Sequence, residues 1–168
     1  MAGFFGQDYP IVLGVGDLDP VAMTLHESVR FALGDGSDNA VDKTWGTLFA
    51  NPPGLGRVHL GKDDRLFAAT FVHQLHCVRE LARAFHHPRS NLVSVEHEHH
   101  CLSYLRQTLL CDAADTLEEG DFMMRDFEVD RVGDSVVCWD WEKVYDVMGR
   151  SFLEWKERKN REEYSHEL

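Results

Sequence analysis

Two five-residue segments of this chain share the pattern His-x-x-His-Cys: His73-Gln74-Leu75-His76-Cys77 and His97-Glu98-His99-His100-Cys101. On a helix of 3.6 residues per turn, positions i, i+3 and i+4 share one face. Each copy then carries two imidazoles and one sulfur on a single stripe, and two facing stripes enclose a small space with four imidazoles. Neutral imidazole ligates copper, zinc, iron and nickel. The pattern therefore predicts a metal site in which His73, His76, His97 and His100 are both ligands and catalytic residues. A lone histidine is more often an ordinary half-buried residue, but duplication of the whole pattern argues for ligation. His99 points away from its neighbours, His86 and His87 close a helix, and His26 and His59 stand alone.

The four cysteines, Cys77, Cys101, Cys111 and Cys138, are disulfide candidates. Cys101 and Cys111 on one helix lie about 15 Å apart at 1.5 Å per residue, beyond the roughly 7 Å reach of a disulfide. Two schemes remain: Cys77–Cys101 with Cys111–Cys138, or Cys77–Cys111 with Cys101–Cys138. Four free thiols are the alternative for a cytosolic protein. Disulfides are preferred, because an all-histidine pocket held by disulfides suits copper in an oxidising compartment. Tyr104 and Gln107, one and two turns beyond His100, could line the same pocket.

The chain has 168 residues, 43% of them hydrophobic, enough for one domain with a core. Its formal charge of -12 repels phosphate backbones and anionic lipid, so no nucleic-acid partner is expected. No apolar run approaches the roughly 18 residues that span a bilayer, and the chain as written is expected to be soluble. There is no His-Glu-x-x-His helix of a zinc protease, no zinc-finger cysteine pairing, no dinucleotide or P-loop glycine pattern and no Gly-x-Ser-x-Gly elbow.

The positioning elements follow from caps and periodicity. Asp19-Pro20 reads as the start of a helix carrying Val21, Leu25 and Val29 and stopped by Gly34, followed by a loop to Asn39. Trp45 to Phe49 is a short helical turn or an extended piece. Asn51-Pro52-Pro53-Gly54 is a turn, and Arg57 to Leu60 a short strand. The first motif helix runs from about Arg65 or Leu66 to Phe85, with Pro88 as its stop. The second opens through Ser90 to Ser94, with Ser94 as cap, and ends near Cys111 or Asp112. Asp112 to Gly120 is an acidic, solvated loop. Phe122 to Arg131 and Ser135 to Trp139 are extended pieces around Gly133-Asp134, a hairpin signal. A last helix starts near Asp140 with an apolar stripe of Trp141, Val144, Tyr145, Met148, Phe152 and Trp155. Beyond it the charged tail frays. The expected fold is mainly α with a small β-hairpin component, a single compact domain over 1–168. Its core spans about 18–156, with two facing motif helices, a C-terminal amphipathic helix and a charged tail at 157–168.

Several of these segments together resemble the fungal UstYa-like proteins, also called the domain of unknown function 3328. The resemblance lies in His73-x-x-His76-Cys77, in His97-x-x-His100-Cys101-Leu102-x-Tyr104-Leu105-Arg106-Gln107, and in Cys111-x-x-x-Asp115-x-x-x-Glu119. Trp45-x-x-Leu48 and Cys138 with Trp141 also resemble it, so the likeness runs from about Val21 to Trp155. It implies roles in secondary metabolism: oxidative cyclisation, hydroxylation, desaturation or halogenation of a peptide or small-molecule intermediate, with copper as cofactor in at least some members. It implies that the paired motif residues are essential, and it brings Asp115 in as a further pocket candidate. Such members usually have an N-terminal membrane anchor and work in the secretory lumen. A homodimer, or a heterodimer with a related protein, is a further expectation. This chain departs at Val136, two residues before Cys138, where many members carry histidine, and as written it shows no anchor. The leading expectation is a copper-dependent oxidoreductase. The alternatives are a redox-neutral cyclase, dehydratase or isomerase using histidine acid–base or Lewis-acid chemistry, and a metal-binding accessory subunit without catalysis.

Overall fold

The computed structural model describes residues 12–26, 28–31, 39–50, 53–86, 94–115, 117, 122–124, 126, 129 and 132–166. In chain order these form strand β1 (Pro20–His26), helix α1 (Asn39–Ala50), strands β2 (Arg57–Leu60) and β3 (Arg65–Ala68), and helices α2 (Thr70–His86) and α3 (Val95–Asp112). Strand β4 (Val132–Trp139) and helix α4 (Trp141–His166) complete the order. The fold is mainly α, with two small antiparallel two-stranded sheets, as the sequence predicts.

The core is where β2, α2 and α4 meet. Val58, Val72 and Met148 are buried there, with Phe49, Leu60, Phe67, Phe71 and Val144 packed around them. Two close approaches set this junction. Gly56 has φ +71°, and a Cβ built on it would lie 2.2 Å from Val72 Cγ1. Only glycine lets the chain enter β2 so close to the first turn of α2. On the far side, α4 crosses β2 so that the Trp155 indole stacks on His59, ring centres 3.8 Å apart. Tyr145 anchors α4 to α1 by donating to the Leu48 carbonyl at 2.8 Å.

Five expectations are corrected. Pro20–His26 is a strand, not a helix: it pairs antiparallel with β4, from Pro20 opposite Trp139 to His26 opposite Val132. Alternation of Val21, Met23 and Leu25 with Ala22 and Thr24 satisfies a strand as well as a helix, and a β-branched partner is available at Val132, Val136 and Val137. Gly133-Asp134 is accordingly no hairpin turn but part of β4, where a Cβ on Gly133 would meet Leu25 Cβ at 2.9 Å. Phe122–Met124 is a turn of 3-10 helix instead of an extended piece. Arg65–Ala68 belongs to a β-hairpin with Arg57–Leu60, so α2 begins only at Thr70. Finally, the charged tail does not fray: α4 continues to His166. Lys159 Nζ lies 2.8 Å from Asp64 Oδ2, and Arg158 pairs with the same carboxylate, pinning the tail to the β2–β3 turn. Those two cations hold the Asp64 carboxyl below the usual carboxylate range, Lys159 foremost.

Trp45 to Phe49 resolves as helix within α1, Arg57–Leu60 is a strand as expected, and α3 begins after the Ser94 cap as expected. The loop Gly34–Asp38, Asn51-Pro52, the stop at Pro88, the Ser90–Val93 approach, the acidic Glu118–Gly120 and most of 125–131 lie outside the described residues.

Candidate metal centre

Helices α2 and α3 pack against each other and bring the two motifs together. Each helix fits its sequence. α3 is capped by Ser94, whose hydroxyl accepts from His97 N at 3.2 Å, and ends with Ala113 in the left-handed region, donating to Leu109 O at 3.0 Å. Capping at Ser94 places His97 and His100 in the first two turns, with Cys101 turned inward. On α2, Val72 N and His73 N donate to Ala69 O, so the first motif histidine lies in the first turn of its helix.

The four imidazoles form a quadrilateral. Ring centres are 6.1 Å apart for His73 and His76 and 6.2 Å for His97 and His100 along the helices. Across them the distances are 5.3 Å for His73 and His100 and 5.4 Å for His76 and His97. His73 Nε2 and His100 Nε2 are 3.3 Å apart. Two nitrogens each about 2.0–2.1 Å from one ion and 3.3 Å from each other subtend roughly the tetrahedral angle. Two imidazole nitrogens at this spacing can chelate one ion, and imidazole suits zinc, copper, iron and nickel alike. Burial pushes the His73 and His76 imidazoles below the usual histidine range. Neighbouring imidazoles add to this, and for His76 the Glu80 carboxylate opposes it. Both rings are therefore neutral at pH 7, with lone pairs available for a metal.

The sulfurs lie on the inner side. Cys77 and Cys101 have no exposed surface and are neighbours across the α2–α3 interface. Burial, followed by the contact with Cys101, pushes the Cys77 thiol up to about 12. Cys77 also joins His73 and His100 in a group whose ligating atoms lie within 4.8 Å of one another. All four cysteines are free thiols in the structure. Because Cys77 touches Cys101, Cys111 sits about 15 Å further along α3. That removes the scheme pairing Cys77 with Cys111.

Of the pocket candidates, Tyr104 is at the site: its ring centre is 4.1 Å from that of His73 and 5.9 Å from that of His100. Gln107 is exposed and bonds back to Ser103 on its own helix. Asp115 is exposed beyond the α3 C-terminus, more than about 15 Å of helix away from His100. Neither reaches the imidazoles. His99 is exposed, as expected. His59 is engaged by Asp64 O at 2.9 Å and by Trp155, a structural role. A separate groove of about 550 Å³ between α1 and α4 is lined by Leu48, Pro53, Trp141, Tyr145 and Leu153, and none of the motif histidines faces it. Sequence reading missed Glu80 and Phe49. Glu80 is buried on α2 beside His76, and the Phe49 ring meets His76 edge-on at 6.3 Å. The i+4 spacing of Glu80 from His76 was the available signal for the first; the second comes from α1 and left none.

Among the described residues no helix is long and apolar enough to cross a membrane. A family model described as the mycotoxin biosynthesis protein UstYa matches residues 60–159. The chain is similar to the UstYa family oxidase phomYe of Diaporthe leptostromiformis, 26% identical over 125 residues. That alignment covers 65% of this chain and 44% of the relative, so the chain spans less than half the relative's length. No solved structure gives a significant match. The matched segment takes in α2, α3 and both histidine motifs, and the chain belongs to the UstYa family of mycotoxin biosynthesis proteins.

Proposed function

We propose that this chain is a copper-dependent oxidoreductase of fungal natural-product biosynthesis. It acts on a peptide or small-molecule intermediate by oxidative cyclisation, hydroxylation, desaturation or halogenation. The observation that carries the reading is the quadrilateral of imidazoles with His73 and His100 at chelating distance. The oxidase name of the phomYe relative supports the redox class. His73, His76, His97 and His100 would hold the metal; bound copper supplies a one-electron redox couple and a partner for dioxygen. The protein does the rest. The half-exposed imidazole rim admits a substrate, while the Tyr104 ring covers His73 and limits the approach on that side. Cys77 and Cys101 close the inner side against water. Disulfide-permissive surroundings, as in the secretory lumen, fit a protein whose two motif sulfurs already touch.

Metal content by mass spectrometry and dioxygen uptake with substrate test this reading. Wild type is expected to carry copper, and His100→Ala to lose both copper and turnover. Protein that binds no copper and consumes no dioxygen refutes it. A second reading rests on the depressed basicity of His73, which leaves a neutral imidazole to take a proton in a redox-neutral cyclisation or dehydration. The absence of a histidine at Val136 favours it. Turnover at full rate without dioxygen decides for it.

A further inference from the structure

Glu80 is 6% exposed, the buried carboxylate among the described residues, and it lies one turn after His76 on α2. Its Oε1 is 3.9 Å from His76 Nδ1. That is longer than a hydrogen bond but within ion-pair range. The carboxylate is held from the other side. Arg83 Nη1 straddles it at 3.2 Å and 3.3 Å. Arg83 Nε reaches Asp42 Oδ1 on α1 at 3.7 Å, and Arg79 binds both Asp42 oxygens at 3.1 Å and 2.9 Å. The quartet of two carboxylates and two guanidiniums is neutral and bridges α1 to α2. The same helix α1 supplies Phe49, which faces the His76 ring edge-on and lies beneath the Arg79 guanidinium.

Such a network is weak evidence for stability, because Asp42, Arg79 and Arg83 remain partly exposed, where ion pairs contribute little. Its geometry has a local consequence instead. With Nδ1 of His76 turned to Glu80, the nitrogen left for the metal site is Nε2, the same atom that His73 and His100 direct at each other. A ligating histidine needs its other ring nitrogen fixed, and a carboxylate in that place sets tautomer, orientation and basicity.

We propose that Glu80 is a positioning residue for the metal site, fixing His76 as an Nε2 ligand, with Arg83, Asp42 and Arg79 holding Glu80 in place. The assignment rests on the metal-binding reading above. It places α1, which contributes no ligand, in control of one corner of the site.

Titration with copper(II) and with redox-silent zinc(II), against a competing chelator, tests it on wild type, Glu80→Gln and His76→Ala. Glu80→Gln is expected to bind either ion about 10–100-fold more weakly, with the far-ultraviolet spectrum of the metal-free protein unchanged. A second measurement needs no variant. In metal-free wild type at about pH 8, above the ordinary histidine range, nitrogen–proton correlation spectra should show the His76 ring protonated on Nδ1. Equal affinity of wild type and Glu80→Gln while His76→Ala is weakened overturns the positioning role and leaves the metal reading intact. So does a His76 ring protonated on Nε2, whatever the variant's folding. No metal binding by wild type overturns the metal reading, and the positioning role with it.

Discussion

Gly56→Ala tests the junction that delivers α2, and with it His73, to the metal site. Two separate penalties arise. The backbone at Gly56 has φ +71°, and an L-residue held in the left-handed region costs about 1–2 kcal/mol. The new Cβ would also lie 2.2 Å from Val72 Cγ1, 2.9 Å from Cγ2 and 3.0 Å from Cβ. Carbon atoms settle at about 3.5–4.0 Å, so Val72 or the turn must retreat by more than an ångström. Val72 is 5% exposed and packed on Val58 and Met148. A β-branched side chain on a helix has essentially one rotamer, so the move falls on the backbone, at an overpacking cost of about 1–3 kcal/mol. The total is about 2–5 kcal/mol, a large share of the roughly 5–15 kcal/mol that holds an ordinary domain together. Gly16→Ala is the control: φ is +73° there too, but nothing lies within 4 Å of the added Cβ. Urea unfolding followed by tryptophan fluorescence should give Gly16→Ala the conformational cost alone and Gly56→Ala that cost plus the clash. In Gly56→Ala with Val72→Ala the clash is relieved, so the double variant should lose less than the sum of the singles. Equal losses for the two glycine variants refute the reasoning.

Other outcomes follow from the same packing and charges. Met148→Ala empties a site with no exposed surface at the centre of the core and should cost about 2–5 kcal/mol in the same assay; a loss below 1 kcal/mol contradicts that placement. Asp64 is held ionised by Lys159 and Arg158, so its folded carboxyl titrates below its unfolded one. The stability it contributes is present above about pH 3.9 and lost as pH falls through the folded value. Asp64→Asn should therefore melt below wild type from pH 5 to 7, and the gap should close on further acidification; a gap that persists unchanged at about pH 2 counts against the pairing. Native protein treated with a maleimide should be labelled at Cys111, which is exposed, and spared at Cys77 and Cys101, which are buried. Rapid labelling of Cys77 would refute the closed inner side.

How metal and sulfur share this site follows from the Cys77 thiol. Its neighbours include two metal-ligating candidates, His73 and His100, and one thiol, Cys101. Coordination needs a thiolate, and burial beside Cys101 holds the proton on Cys77 up to about pH 12. The neutral imidazoles of His73 and His76 need give up nothing. A metal ion arriving at neutral pH therefore meets ready nitrogen donors and a reluctant sulfur. Pairing of Cys77 with Cys101 would remove the sulfur altogether and leave the four histidines as the donor set.

The sequence was legible where the chemistry is local. The i, i+3, i+4 spacing of His73, His76 and Cys77 fixes their common face, Ser94 is a cap readable from its position before Val95, and both survive in the fold because nothing distant competes with them. It misled where a distant partner decides. Pro20–His26 suits helix or strand by its own residues, and the distant strand Val132–Trp139, antiparallel to it, turns it into sheet. Arg65–Ala68 carries a helical pattern into α2, yet its backbone is claimed by Arg57–Leu60 across a four-residue turn. The tail beyond Trp155 looks like solvated helix end until Asp64, held in a left-handed turn with φ 48°, meets Arg158 and Lys159. Glu80 shows the same limit inside the site. Its i+4 spacing from His76 is written in the sequence, as is its i+3 spacing from Arg83. That the carboxylate is buried, and that Arg83 also reaches Asp42 of α1, are not.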